Sequence, residues 1–143
     1  MNIRIMTEAD REAVCAMMAV FYASEAVLTN GSEEIFAADI DACVSGDPYL
    51  EGYVFEGEGA LMGYAMVAKS FSTEFGKHCL WIEDIYIRDA FRGLGLGTAF
   101  FAFLEKKYPD RLLRLEAERE NAGAVRFYER CGFRELPYLE LIK

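Results

Sequence analysis

The stretch Ile85-Tyr86-Ile87-Arg88-Asp89-Ala90-Phe91-Arg92-Gly93-Leu94-Gly95-Leu96-Gly97-Thr98 decides how the rest of the chain is read. Its first three residues close an apolar, strand-like run that begins at Cys79. Leu96, Phe100, Phe103 and Leu104 then recur at helical spacing. Between strand and helix stand Gly93, Gly95 and Gly97 at alternate positions. Glycine accepts positive φ and lets backbone N–H groups come close to a ligand. A helix N-terminus adds unpaired N–H donors and a positive dipole end, so the turn reads as a phosphate cradle. Arg92 adds a planar fork suited to the same group. Two better-known phosphate loops do not fit. A Walker loop ends in Gly-Lys-Ser/Thr, whereas Gly97-Thr98 lacks the lysine. A dinucleotide fingerprint is Gly-x-Gly-x-x-Gly, whereas the spacing here is Gly-x-Gly-x-Gly. A plain glycine-rich turn stays open as the alternative.

Elements on either side follow from periodicity. Ile3 to Met6 alternates like a short edge strand. Thr7 reads as an N-cap, and Val14, Met17, Met18, Phe21 and Tyr22 give the next helix one apolar face, ending near Ser24. Ser32 caps a second helix carrying Ile35, Ile40 and Val44. Tyr49 to Phe55 alternates as a strand, Glu56-Gly57-Glu58-Gly59 is a hairpin turn, and Ala60 to Lys69 is a long strand. Ser70 to Lys77 is a polar connection, and Cys79 to Ile87 a further strand. Beyond the glycine-rich turn, Tyr108-Pro109-Asp110 stops the helix and Leu112 to Leu115 forms a strand. Asn121 caps a last helix, Gly132 stops it, and Phe133 to Ile142 closes with strand-like residues. The order is β-α-α-β-β-β-α-β-α-β, without repeat or linker, which predicts one α/β domain over 1–143.

The chain of 143 residues is 53% hydrophobic and 14% aromatic, which excludes intrinsic disorder. No long apolar run is free of charge, so no transmembrane helix is expected. Residues Met1 to Glu8 lack a basic region followed by an apolar run, which argues against a signal peptide. Cys15, Cys43, Cys79 and Cys131 are scattered and form no CxxC pair, so they read as reduced thiols of a cytoplasmic protein. His78 is the only histidine, which leaves a metal site or a Ser-His-Asp triad little to draw on. No metal is expected. The net charge of −9 argues against nucleic acid or an anionic membrane as partner. Between Arg11 and Lys69 lie ten acids and no base, so the N-terminal half holds the whole acidic excess.

The pattern from Ile85 to Thr98, strand then Arg-x-x-Gly-x-Gly then helix, resembles the pyrophosphate-binding motif of the GNAT family of acetyl-CoA-dependent N-acetyltransferases. Asn121-Ala122-Gly123-Ala124-Val125-Arg126-Phe127-Tyr128-Glu129-Arg130-Cys131-Gly132-Phe133 is similar to that family's second signature, Asn-x-x-Ala-x-x-Phe-Tyr-x-x-x-Gly-Phe. The resemblance is specific from about Leu80 to Phe133, and over Met1 to Ser70 it rests on element order. It implies a central mixed, mostly antiparallel sheet flanked by helices, and acetyl-CoA as co-substrate. The family's members are often homodimers.

By that resemblance Ile85, Tyr86 and Ile87 lend backbone groups to the pantetheine arm. Arg92, Gly93, Leu94, Gly95, Leu96, Gly97 and Thr98 hold the pyrophosphate. Asn121 contacts the cofactor, serves as a plain N-cap, or does both. Tyr128 falls where many members place the general acid, with a packed core tyrosine as the alternative. A phenol titrates near pH 10, so at neutral pH it carries a proton to give. Glu83 and Asp84 are adjacent carboxylates in an apolar strand, and neighbours on a strand point to opposite faces. Some family members that acetylate diamines and polyamines carry a similar pair. That makes Glu83 the candidate general base, acting through water, and Asp84 the second choice for that role or an anchor for a substrate ammonium. A salt bridge to Arg88 or Arg114 is the alternative for either. The family binds its acceptor with the first two helices and neighbouring strands, here the acidic half. Phe21, Tyr22, Glu25 and Trp81, with Tyr49, Tyr53, Phe71 and Glu74, supply carboxylates and aromatic faces there. They point to a cationic primary amine, small molecule or protein, although the same acids also suit solvated helix faces. A non-catalytic acyl-CoA-binding module on the same fold is the competing reading.

Overall fold

In the computed structural model, which describes residues 1–143, five strands form one sheet in the order β1-β2-β3-β4-β5. They are β1 (Asn2–Ile5), β2 (Leu50–Gly57), β3 (Ala60–Ser72), β4 (Lys77–Ile87) and β5 (Leu112–Leu115). The first three junctions are antiparallel and β4 pairs β5 in parallel. Four helices pack on this sheet: α1 (Arg11–Tyr22), α2 (Glu33–Val44), α3 (Leu96–Lys107) and α4 (Ala122–Arg130).

Strand alternation sorts the core into two halves. Val54, Tyr64 and Met66 join Val14, Met17 and Met18 of α1 and Phe36 and Ile40 of α2 on one face. Tyr53, Phe55, Ala65 and Val67 join Leu96, Phe100, Phe101 and Leu104 of α3 on the other. Helices thus cover both faces, which is why β3 reads as a nearly continuous apolar run from Ala60 to Ala68.

One irregularity interrupts β4. Its register with β3 pairs Met66 with Asp84 but Val67 with Ile82, so Glu83 is an extra, unpaired residue. Such a bulge reverses the facing of every later side chain. Leu80 and Ile82 face α3 before it, and Ile85 and Ile87 do so after it. The ladder between β4 and β5 ends close by, at Ile82 opposite Leu115. Beyond that point the two parallel strands separate.

Two expectations change. Ser70 to Lys77 is not all connection: β3 continues to Ser72 and β4 starts at Lys77, joined through Gly76 at φ +62°. The expected final strand, Phe133 to Ile142, is absent, so the order ends in α4. Pro137 removes a backbone donor from the middle of that segment. Side chains tie it down instead: Arg119 bonds Glu135 at 2.8 Å, and the Tyr138 hydroxyl donates to Glu74 at 2.7 Å. Leu139, Leu141 and Ile142 remain exposed.

Far from the glycine-rich turn, Glu51 ties β2 to β3 and to the end of α3. Its carboxylate meets Lys69 at 2.7 Å and Lys107 at 3.4 Å, and accepts from the Tyr53 and Tyr108 hydroxyls. Burial pushes this carboxyl up, but the bonds from Lys69, Tyr108 and Tyr53 outweigh it and hold the pKa at about 2. A lowered folded pKa stabilises above the ordinary glutamate value and is lost as pH falls toward the folded one. Glu51→Gln should therefore cost ~2 kcal/mol at neutral pH in chemical denaturation. Its deficit against wild type should shrink between about pH 4.5 and pH 2.

Candidate active site

The end of β4 carries backbone groups without a strand to pair them. The Arg88 N–H donates to the Met62 carbonyl on β3. Antiparallel alternation then directs the N–H and C=O groups of Tyr86 and Asp84 to β3 and those of Ile85 and Ile87 away from it. That other side is where β5 has departed. The Ile87 carbonyl accepts from Arg92 Nε at 3.0 Å.

The turn that follows is built for close approach. Gly93 and Gly95 hold φ of +76° and +78°, and a Cβ placed on either would project into open space. Gly95 is the N-cap of α3 and offers no side-chain cap, so the first N–H groups of the helix lack a protein partner. Donors left bare at a helix start, with room in front of them, fit the phosphates of a coenzyme A. Gly97 serves packing: a Cβ there would come 2.6 Å from the Phe127 ring, so only glycine lets α4 lie this close to α3. Arg92 does not reach forward. It bonds Asp89 at 2.9 Å and lies over the Tyr86 ring at 5.8 Å, bracing the turn against β4.

A cleft opens at the carboxyl ends of β4 and β5. Its walls are Ile82, Glu83 and Ile85 of β4, Leu115 at the end of β5 with Glu116 to Glu118 after it, Asn121, Ala124 and Tyr128 of α4 and its cap, Phe21 near the end of α1, and Ala26 beyond that helix. It holds about 370 Å³ of space open to solvent. Four residues singled out in the sequence for different tasks, Glu83, Ile85, Asn121 and Tyr128, share it with Phe21. Asn121 caps α4, accepting from the Ala124 N–H at 3.4 Å. Half-buried Tyr128 has its pKa raised to about 12 by burial and by Cys131, so its hydroxyl keeps its proton at neutral pH. Glu83 is exposed to solvent on one side, yet partial desolvation, then Asp84, Asp39 and Glu140, raise its pKa above the usual glutamate range.

Other expected contacts lie elsewhere. Asp84 does not reach the cleft: it is 4% exposed and accepts from the Tyr22 and Tyr64 hydroxyls at 2.9 and 2.8 Å. Tyr22 is thereby a partner of Asp84 and not part of the cleft wall. Trp81 precedes the bulge and stacks under the Arg114 guanidinium at 4.9 Å, outside the cleft. Tyr86 is buried in the core beneath α1, and Tyr53 is buried with Phe100 and Phe103. Glu25 is exposed beside Ala26. Sequence reasoning missed Glu116, whose pKa is raised to about 7 by desolvation, a hydrogen bond with Glu140, and the charges of Glu140 and Glu83. Its signal was its place just after β5, since ligands in such sheets sit at the carboxyl ends of strands. No group of three or more His, Cys, Asp or Glu is arranged to hold a metal ion.

Residues 16–133 match the acetyltransferase (GNAT) family. The chain belongs to that family. A stretch of 57 residues is 40% identical to an uncharacterized N-acetyltransferase of Methanocaldococcus jannaschii, covering 38% of this chain and 25% of that relative. The chain thus matches only about a quarter of that relative's length. Among solved structures, a possible acetyltransferase from Clostridium difficile 630 superposes with a TM-score of 0.82 at 18% identity, over 99% of this chain and 95% of the other. An aminoglycoside N-acetyltransferase in complex with coenzyme A gives 0.79 at 16% identity, over 99% and 93%. These likenesses establish the GNAT fold. Members of this family use acetyl-CoA.

Gly95→Ala should fold with a loss of about 1 kcal/mol, the strain of a side chain at positive φ. It should also weaken coenzyme A binding at least about tenfold in calorimetry, because the new methyl stands in front of the helix donors. Gly97→Val, which collides with Phe127, should lower thermal stability more than Gly95→Ala does.

Proposed function

We propose that this chain is an acetyl-CoA-dependent N-acetyltransferase that moves the acetyl group directly to a primary amine, a cationic small molecule or a protein amine. The observation that carries this reading is the cleft. It sets Glu83 and Tyr128 beside the unpaired backbone of Ile85, and the bare start of α3 packs against α4 next to Tyr128, where Gly97 meets the Phe127 ring.

Acetyl-CoA supplies the activated acetyl thioester. Ile85 and Ile87 present backbone donors and acceptors to an arm lying between β4 and β5, as a missing strand would. The N–H groups of Leu96, Gly97 and Thr98 and the open turn at Gly93 to Gly95 hold phosphates. Leu94, exposed at the tip of the turn, covers that end, and Asn121 keeps α4 in place at the side of the cleft.

An alkyl ammonium, with a pKa near 10.4, must lose a proton before it attacks. Glu83 lies in the cleft with a raised pKa, which makes its carboxylate the acceptor for that proton, directly or through one water. Tyr128 Oη holds a proton for the departing sulfur. A cysteine relay has little support: Cys43 and Cys79 are buried, and Cys131 sits at the end of α4 beside Thr98. The cleft contains Glu83, Glu116 and Glu118 and no basic side chain, so its field favours a cation. Phe21 adds an aromatic face to the same wall. The protein of similar fold named above is an aminoglycoside N-acetyltransferase, which is in keeping with that sign.

Release of the coenzyme A thiol from acetyl-CoA, screened against amines, tests the reading. Turnover should require an added amine and should favour spermidine over a weakly basic aromatic amine. Thiol release with no amine-dependent component at all would refute the assignment. Glu83→Gln should lower kcat by about 100-fold or more and flatten the acid limb of the pH–rate profile. Tyr128→Phe should lower kcat with little change in coenzyme A affinity. Turnover at the wild-type rate in either variant would remove that residue from the mechanism.

A further inference from the structure

Asp84 is a carboxylate removed from water with no cation to balance it. It is 4% exposed, and its partners are the Tyr22 hydroxyl of α1 and the Tyr64 hydroxyl of β3, on separate oxygens. A buried charge without a counter-ion is costly and persists where the surrounding structure uses it. Asp84 is also the residue at which pairing with β3 resumes after the bulge, opposite Met66.

We propose that Asp84 is a positioning residue: by gripping Tyr22 and Tyr64 it holds the bulge that turns Glu83 into the cleft and pins the end of α1 that forms the acceptor-side wall. This rests on the acceptor site proposed above. The Tyr64 bond fixes the first paired residue after the bulge to the neighbouring strand, so the extra residue cannot slide along β4. The Tyr22 bond fixes the last residue of α1. Phe21, next to it, lines the cleft and packs edge-on against Tyr22 and Tyr64, at 5.2 and 6.4 Å. Ala26, the second wall residue from this side, follows four positions after Tyr22.

The arrangement also sets the field at Glu83. Around it stand Asp84 on its own strand, Asp39 of α2, Tyr22 of α1, Glu116 after β5, Glu140 of the C-terminal segment and Tyr128 of α4. Asp84 is faced by Tyr22, Tyr64, and Asp39 and Cys43 of α2. None of these groups is basic. The charge on Asp84 therefore favours the protonated form of Glu83.

Two substitutions separate positioning from bulk stability. Asp84→Asn keeps the shape and one accepting oxygen but removes the charge. Tyr22→Phe removes a single oxygen. In Asp84→Asn, the Glu83 carboxyl followed by carbon-13 NMR should titrate at lower pH than in wild type. In Tyr22→Phe, the KM for spermidine should rise about tenfold, the scale of one lost buried hydrogen bond, with the KM for acetyl-CoA unchanged. An unmoved Glu83 titration, or KM values for both substrates rising together, overturns the proposal. If Asp84→Asn does not fold, the KM split in Tyr22→Phe decides alone. If spermidine is not acetylated, the Glu83 titration decides. Should Glu83→Gln keep the wild-type acid limb, the base assignment falls while a shifted titration in Asp84→Asn still stands, so the two failures are told apart.

Discussion

Glu83 has no residue opposite it on β3, and the strand on either side of it faces opposite ways. This one extra residue reconciles two demands on β4. Its first half must bury Leu80 and Ile82 beneath α3 while it pairs with β5. Its second half must keep Ile85 and Ile87 apolar toward the same side, yet leave their backbone groups bare for a ligand. Without the bulge, Asp84 and Tyr86 would turn toward α3, and the carboxylate now bonded by two phenols would enter an apolar core without partners. The parting of β4 and β5 begins at the same level, so the cleft, the bare backbone and the acid share one cause.

The two halves of the site are held by different means. The phosphate side is backbone geometry: glycines at positive φ, an uncapped helix start, and a glycine that admits the Phe127 ring. The acceptor side is side-chain electrostatics. Burial first, and neighbouring carboxylates second, raise the pKa values of Glu83, Asp39 and Glu116, while burial alone raises that of Asp84 behind the cleft against the pull of its two tyrosine hydroxyls. Glu51 shows the contrast. Its lysines and tyrosines hold it low, as befits a carboxylate that joins elements and takes no part in the cleft.

What could be read from the chain divides along the same line. Local signals sufficed for the strand–turn–helix around Gly93 to Gly97, for the Ser32 and Asn121 caps, and for Glu58-Gly59 in the first hairpin. Each depends on residues a few positions apart. The bulge depends on register between β3 and β4, which no local pattern encodes, so Asp84 looked as available as Glu83. Trp81 and Tyr53 looked like acceptor aromatics, but both lie outside the cleft for the same kind of reason. The C-terminal alternation from Phe133 to Ile142 resembles a strand, yet no neighbouring strand pairs with it and Pro137 interrupts it. Glu116 and Glu140 are distant in sequence and meet only because that segment returns past the end of β5.

Amide hydrogen exchange, resolved by residue with NMR and repeated with coenzyme A, reads the bare backbone of β4 itself. Asp84 and Tyr86, bonded to β3, should exchange slowly in both conditions. Ile85 and Ile87 should exchange quickly alone and slow on binding, together with Leu96 to Thr98. Slow exchange at Ile85 in the free protein, or no change there when coenzyme A binds, would contradict this reading of β4.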